Sequence, residues 1–370
     1  MSLVLNGTDG VTFNDTSLQG AAASPYVLKN RIINGDMVID QRNAGASGTA
    51  INVYTVDRFS YNAAQASKGT WQQNAAAVTP PVGFSNYLGF TSSSSYSVLA
   101  GDYFTFAQPI EGYNIADLAW GTANAKTVTL SFWARSSLTG TFGGALYNSG
   151  LNYSYPFSYS IPTANTWTQI SVTITGPTAG TWLTTNGNGV SVGFGLGVGS
   201  TYNGTAGSWS SNFYISATGA TSVVGTNGAT FYITGVQLEQ NTSATPFERR
   251  LYGQELVNCQ RYYWVLAKQT TATIIAIANM SYYNATYLGG NITLPVTMRT
   301  TPSLDAASGT NYYSMFRNNG NNTVNSWAIV DSHPQVVNIY NTAQASGTAG
   351  QAGWSATNFN GAYVAFNAEL

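Results

Sequence analysis

Apolar and polar positions alternate with a period of two along much of this chain, the pattern of a β-strand with one buried face. In VTLSFWARSS, Val128, Leu130 and Phe132 fall on one side, and in ISVTITG so do Ile170, Val172 and Ile174. VSVGFGLGVGS sets Gly193, Gly195, Gly197 and Gly199 between Val192, Phe194, Leu196 and Val198. A strand with bare glycine on its second face admits a close neighbour or a ligand. FYITGVQLE carries Phe231, Ile233, Val236 and Leu238, and its change of parity at Thr234–Gly235 predicts a bulge. Further along, Ile292, Leu294, Val296 and Met298 alternate, while Pro295 among them asks for an edge or a bulge. ATIIAIANM has apolar residues of both parities, as in a strand covered on both faces. Asn318-Asn319-Gly320 marks a tight turn, and NSWAIVDSHPQVVNIY and GAYVAFNAEL read as further strands.

One stretch breaks this rhythm. After Pro246 come Glu248, Arg249 and Arg250, and then Tyr252, Leu256, Cys259 and Tyr263 at spacings of four, three and four. That is one stripe of an α-helix, with Gln254, Glu255, Asn258 and Arg261 on the other side. The pattern predicts a short helical junction over 251–269 between two β domains, 30–250 and 270–370. The helix either packs on its own domain or marks where several copies of the chain meet. Short strands punctuated by turns, without intervening helices, predict an all-β protein of antiparallel sandwiches. Residues 1–29 are small and extended and could not bury enough surface alone.

Composition narrows the function. Only 7% of the 370 residues are charged, against about 25% in ordinary globular proteins, while 44% are hydrophobic. Such a chain suits packed strands with hydroxyl and amide faces rather than disorder. The net charge of −1 supplies no basic field for nucleic acid or an anionic membrane. No apolar run reaches about 18 residues, so membrane insertion is not expected, and Met1–Phe13 lacks the pattern of a secretory signal. The one cysteine, Cys259, lies on the apolar helical stripe and reads as a buried, inert thiol.

Catalytic chemistry is hard to assemble from what is present. The glycine-rich run has no lysine and no following helix, which excludes a phosphate-cradling loop. The one histidine, His333, excludes multi-histidine zinc sets, and beside Asp331 it reads as a solvated turn residue. Glycoside cleavage needs two opposed carboxylates. Asp57-Arg58, and Glu248 with Arg249 or Arg250, read as structural ion pairs, and the remaining acids form no legible pair. The expectation is a protein with no catalysis, no metal and no cofactor.

What remains is aromatic rings among amides and hydroxyls in turn-rich segments. Exposed rings stack on the apolar faces of sugars while Asn, Ser and Thr bond their hydroxyls, and a neutral glycan asks for no charge. The candidate glycan-binding residues are Trp209 and Trp354, each flanked by Gly, Ser and Ala, then Tyr202, Trp182, Tyr312 and Trp327. Each has an alternative place in a core or at an interface between copies. Trp133 and Trp167 read as core.

A resemblance frames these readings. ITGVQLEQNTSATPFERR followed by NCQRYYW resembles tail-fibre and receptor-binding proteins of tailed bacteriophages. NRIINGDMVIDQRNAG at Asn30–Gly45 is similar to the opening phrase of that group, and LPVTMRTTPS and the terminal FNAEL to its last domain. The order of QPIEG, TLSFW and TWTQISVTI looks like a jelly roll of the carbohydrate-binding-module type. The resemblance implies a homotrimer on a virion, assembled in the bacterial host cytoplasm. It implies a segment over 1–29 that trimerises and docks on other tail or baseplate proteins. A jelly roll over 30–250 and a β-sandwich tip over 270–370 would follow, with host surface polysaccharide as the partner. The alternatives within the resemblance are a head or collar fibre that decorates the particle and, with less support, a glycan depolymerase.

Overall fold

The computed structural model describes residues 29–318 and 320–370 and, before them, the backbone of three short strands. These are β1 (Val4–Asn6), β2 (Gly10–Thr12) and β3 (Leu18–Gln19), paired antiparallel. The attachment and trimerisation roles expected of residues 1–29 lie outside the described residues.

The first sandwich begins with β4 (Val53–Val56), β5 (Phe59–Ala63), β6 (Gly69–Gln73), β7 (Leu88–Ser92) and β8 (Tyr103–Glu111). It continues through β9 (Val128–Ser136), β10 (Gly140–Tyr147), β11 (Ser154–Ile161), β12 (Thr168–Ile174) and β13 (Asn188–Val198). The two-residue pair β14 (Asn203–Gly204) and β15 (Ser216–Ala217) precedes β16 (Thr230–Glu239). These strands form a six-stranded sheet, β11-β10-β13-β8-β5-β4, and a five-stranded sheet, β12-β9-β16-β7-β6, both antiparallel. Aromatic rings from both sheets meet between them, with Phe132 5.0 Å from Phe194, Tyr61 5.4 Å from Phe90 and Phe142 6.0 Å from Phe231. All six rings are buried, so the alternation in VTLSFW, VGFGL and FYITG is the inner face of an antiparallel jelly-roll sandwich. The predicted bulge is present, since the β16–β9 register shifts between Thr234 and Gln237 and Gly235 adopts φ 63°. Glycine supplies that left-handed backbone without steric cost.

The bare face of β13 is covered by the chain itself. A Cβ on Gly195 would fall 2.8 Å from Ser216 Oγ, and one on Gly143 of β10 only 2.4 Å from the same atom. The loop that carries β14 and β15 therefore lies flat on glycine, and the close neighbour expected at this face is a segment of the same domain.

The second unit consists of α1 (Tyr252–Gln260), β17 (Tyr263–Lys268), β18 (Ala276–Asn284), β19 (Tyr287–Thr293), β20 (Ser303–Ala306) and β21 (Tyr313–Arg317). It ends with β22 (Gly320–Val324), β23 (Ala328–His333), β24 (Val336–Asn341), β25 (Ala352–Thr357) and β26 (Tyr363–Asn367). A seven-stranded sheet, β22-β21-β25-β18-β19-β24-β23, packs on a three-stranded one, β17-β26-β20. Tyr282, Leu288, Met315, Ile339 and Phe366 fill the space between them. The chain is thus all-β: a larger and a smaller antiparallel sandwich joined by one short helix.

Four local expectations are corrected. The helix stops at Gln260, and Tyr263 already pairs with Asn367 in β17, because the run Tyr262-Tyr263-Trp264-Val265 has aromatic and β-branched side chains suited to a strand. The face that α1 buries is also different, since Glu255 and Cys259 are buried while Tyr252 is 61% exposed. Glu255 goes inward because Arg250 Nη1 (3.1 Å), Asn258 Nδ2 (3.2 Å) and the Asn34 backbone N–H all donate to its carboxylate. β18 is covered on one face only, with Ile274 and Ile275 ahead of its ladder, and β19 ends before Pro295, which cannot donate to one. Cys259 is fully buried, and burial pushes its thiol pKa well up, consistent with an inert residue.

The two units are locked together where the phrases of the resemblance converge. Glu111, the last residue of β8, accepts both Arg261 nitrogens (2.9 and 2.5 Å) and the Tyr262 hydroxyl (2.6 Å). Arg58, 1% exposed, pairs with Glu369, lies 3.6 Å over the Tyr262 ring and donates to the Pro109 carbonyl. Asp57 pairs with Arg42 at 3.1 Å and not with its neighbour Arg58, which corrects the expected pair, whereas Glu248 does hold Arg250 at 3.2 Å. Asp57 and Arg58 form the two-residue turn between β4 and β5, with Arg58 at φ 70°, and each side chain finds its partner in another part of the chain.

Candidate binding groove

The seven-stranded sheet turns one face to the core and leaves the other open. Alternation puts Asn279, Ser281 and Tyr283 of β18 on the open face, with Tyr287, Gly289 and Asn291 of β19. Asn338 and Tyr340 of β24 join them, because Gly289 pairs with Ser281 on one side and Tyr340 on the other, and Asn291 pairs with Asn338. The result is a groove of about 760 Å³.

Its wall is tyrosine. Tyr287 stacks parallel to Tyr340 (centroids 5.3 Å, 2° between planes), and Tyr283, 82% exposed, stands edge-on to it at 6.0 Å. Its floor is Gly289, where a Cβ would come within 3.0 Å of the Tyr287 ring and 3.5 Å of Asn338 Oδ1. Its far end is an amide pair, with Asn338 Nδ2 donating to Asn291 Oδ1 at 3.0 Å. Asn338 Oδ1 is shut away from bulk water and has no hydrogen-bond partner. Burial, and after it the neighbouring Tyr340 and Asp331, hold the Tyr287 hydroxyl pKa above the ordinary tyrosine value, so that ring stays neutral at physiological pH. No side chain lining the groove is charged. A surface of this kind binds by stacking and by hydrogen bonds to hydroxyls.

Trp354 is the one sequence-derived candidate beside this groove. It pairs with Asn279 across the β18–β25 ladder, stacks on Phe316 at 4.5 Å and is 40% exposed. Tyr312 is half-buried against Phe359 (6.2 Å) and does not line the groove. Trp327 and Trp182, expected on a sugar-facing surface, are buried instead. Trp327 packs 5.7 Å from Tyr313 in the core of the second unit. Trp182 lies 5.0 Å from Trp120 and 5.4 Å from Trp209, and Tyr153 stacks on Trp209 at 5.8 Å. The indole N–H groups of Trp182 and Trp209 donate to the Ala179 and Thr175 carbonyls, so the cluster closes one end of the first sandwich. Tyr202 is half-buried, edge-on to Tyr103 and Phe213 (both 5.7 Å), within the loop that covers the glycine face. Trp167, expected in the core, is half-buried at its edge, packed against Tyr87 with its N–H on the Thr79 carbonyl.

Sequence reasoning missed Tyr283, Tyr287, Tyr340 and the three asparagines. The available signal was SYYNATYLGGN, two alternating runs joined by a polar turn, whose polar parity carries the aromatics. A second cleft of about 630 Å³ lies between the units, but its charged groups are already committed. Arg42 holds Asp57 and Glu369, and Asp305 accepts the Tyr263 and Tyr363 hydroxyls at 2.9 and 2.8 Å. Among the described residues no three His, Cys, Asp or Glu side chains gather as a metal site would need.

No known protein family matches the chain, and no curated protein does. Among solved structures it is similar to the enzymatically active domain of tailspike protein 4 of bacteriophage CBA120, at 16% identity and a TM-score of 0.32, over 60% of this chain and 22% of that one. It is similar to a putative sugar-binding protein from Bacteroides thetaiotaomicron, at 11% identity and 0.34, over 58% of this chain and 100% of that one. It is also similar to the module TmCBM61 in complex with β-1,4-galactotriose, at 9% identity and 0.30, over 58% and 100%. The chain thus spans about a fifth of the tailspike domain it matches. Likeness at these scores says nothing about site or ligand.

Proposed function

We propose that this chain is a non-catalytic attachment protein whose second sandwich holds a neutral surface glycan in the groove around Gly289. The observation that carries the reading is a groove walled by tyrosine, ended by amides and lined by no charged side chain. The sequence phrases shared with phage tail fibres support the finer reading, a homotrimeric receptor-binding protein on a virion tail. Three copies would turn weak single sugar contacts into avidity without new contacts. The reading is tested by competition for adsorption. Saturating native protein should block virion attachment to its host, and a Tyr287→Ala variant should not. Normal attachment in the presence of native protein would point to a decorating fibre. Reducing ends released from host polysaccharide, and lost on substitution of an acid, would point to a depolymerase.

A further inference from the structure

The open face of the seven-stranded sheet continues past the groove to β25, and its side chains fall into rungs that cross the strands. Ala352 of β25 pairs with Ser281 of β18, which pairs with Gly289 of β19, so three small residues line up across three strands. Larger side chains rise on both sides of this rung. Trp354 pairs with Asn279 on one side, with Phe316 of β21 stacked behind it, and Tyr283 and Tyr287 stand on the other. Outward positions on a strand recur every two residues, so these two walls rise from backbone about 13 Å apart. The small rung between them is about 10 Å long at the usual strand spacing. Tyr340, paired with Gly289, closes it at the β24 end, while Ala352 and Ser281 are exposed. The face is thus a trench with an aromatic stack on each wall, and none of the side chains in these rungs is charged.

Tyr287 and Trp354 stand on opposite walls and two strands apart, about 16 Å between their Cα atoms. A single sugar ring spans far less, so it touches one stack at a time. Linked sugars reach both, and the second contact then forms within a complex already made. We propose that Trp354 forms an outer subsite of the groove and that the ligand is a linear run of neutral sugars longer than a disaccharide. One sugar packs on Tyr287, the chain crosses Ser281 and Ala352, and a later sugar packs on Trp354. The inference rests on the glycan-binding reading and adds to it the length of glycan that is recognised.

The experiment uses full-length native protein, Trp354→Ala and Ala352→Gln, with a soluble neutral linear polysaccharide that retards the native protein in native gels. Partial acid hydrolysis of that polymer gives oligosaccharides, which are separated by size and titrated by calorimetry from the disaccharide upward, intact polymer included. Circular dichroism and melting temperature establish that each variant is folded. Ala352→Gln fills the trench from an exposed strand position and removes no stacking contact, so it backs up Trp354→Ala. Native affinity should rise about ten-fold with length, the value of one added stacking contact, and level off once both stacks are spanned. Both variants should lose that rise. Native affinity that does not grow beyond the disaccharide, or a rise that persists in either folded variant, overturns the outer subsite and leaves the glycan reading standing. Failure of the native protein to bind any neutral polysaccharide overturns both.

Discussion

Glu111→Ala removes one acceptor from three donors at the junction of the two sandwiches. Glu111 is 1% exposed, and its two oxygens hold Arg261 through both nitrogens and the Tyr262 hydroxyl at 2.6 Å. Breaking a buried ion pair by deleting one partner typically costs about 3–5 kcal/mol. Arg261 is 33% exposed, so water can reach the stranded guanidinium, and the charged contact is reduced to about 2–3 kcal/mol. The orphaned Tyr262 hydroxyl adds about 1 kcal/mol, for a total near 3–4 kcal/mol. At about 2–4 °C per kcal/mol, melting should fall by roughly 6–16 °C. Because Glu111 ends a strand of the first sandwich and Arg261 leads into the second, calorimetry should also show one transition separating into two. Glu111→Ala with Arg261→Ala should cost little more than either alone, a coupling of about 2 kcal/mol. A shift under about 2 °C, or strictly additive losses, would refute the idea that this contact locks the units.

Acid should act through Asp57. Burial pushes its carboxyl from 3.8 to about 6 despite Arg42, so the folded state binds this proton more tightly than the unfolded chain does. Its contribution is full below about pH 4 and is lost as pH rises through 6, so native protein should lose up to about 3 kcal/mol relative to Asp57→Asn between pH 4 and 7. A stability difference that ignores pH in denaturant titrations would contradict this. Gly195→Val should lift the loop bearing Ser216 from the six-stranded sheet, costing about 1–3 kcal/mol and opening residues 200–217 to protease. Unchanged cleavage would mean the loop does not depend on that close approach.

The strands were legible wherever one face of the pattern stayed clean. VTLSFW and FYITGVQLE announced their inner faces and the bulge at Gly235, because a period of two leaves few other ways to bury Phe132 and Phe231. The helix was less legible, since apolar periodicity cannot foresee a buried carboxylate. Glu255 faces inward because of Arg250 and Asn34, and Asn34 lies 221 residues away in sequence. The expected Asp57–Arg58 pair failed for the same reason, Arg58 finding Glu369 instead, whereas the Glu248–Arg250 pair, two residues apart, was legible. For the groove, a tryptophan flanked by Gly and Ser looks the same in a loop as at the closed end of a sandwich. Trp354, expected in a loop, stands on β25 beside the groove, Trp209 packs half-buried in its loop against Tyr153, and the tyrosines of SYYNATYLGGN were passed over. Their importance depends on β24 pairing with β19 to bring Tyr340 and Asn338 alongside.

The most direct measurement is the affinity of the purified full chain for a neutral bacterial surface polysaccharide, titrated at about 0.05 and 0.5 M salt with native protein and Tyr287→Ala. Stacking and hydrogen bonding in an uncharged groove should give native affinities that agree within about two-fold at the two salt concentrations. Loss of the tyrosine wall should weaken binding at least ten-fold, by roughly the value of a lost stacking contact. Binding that collapses with salt, or that survives intact without the Tyr287 ring, would contradict a neutral glycan held in this groove.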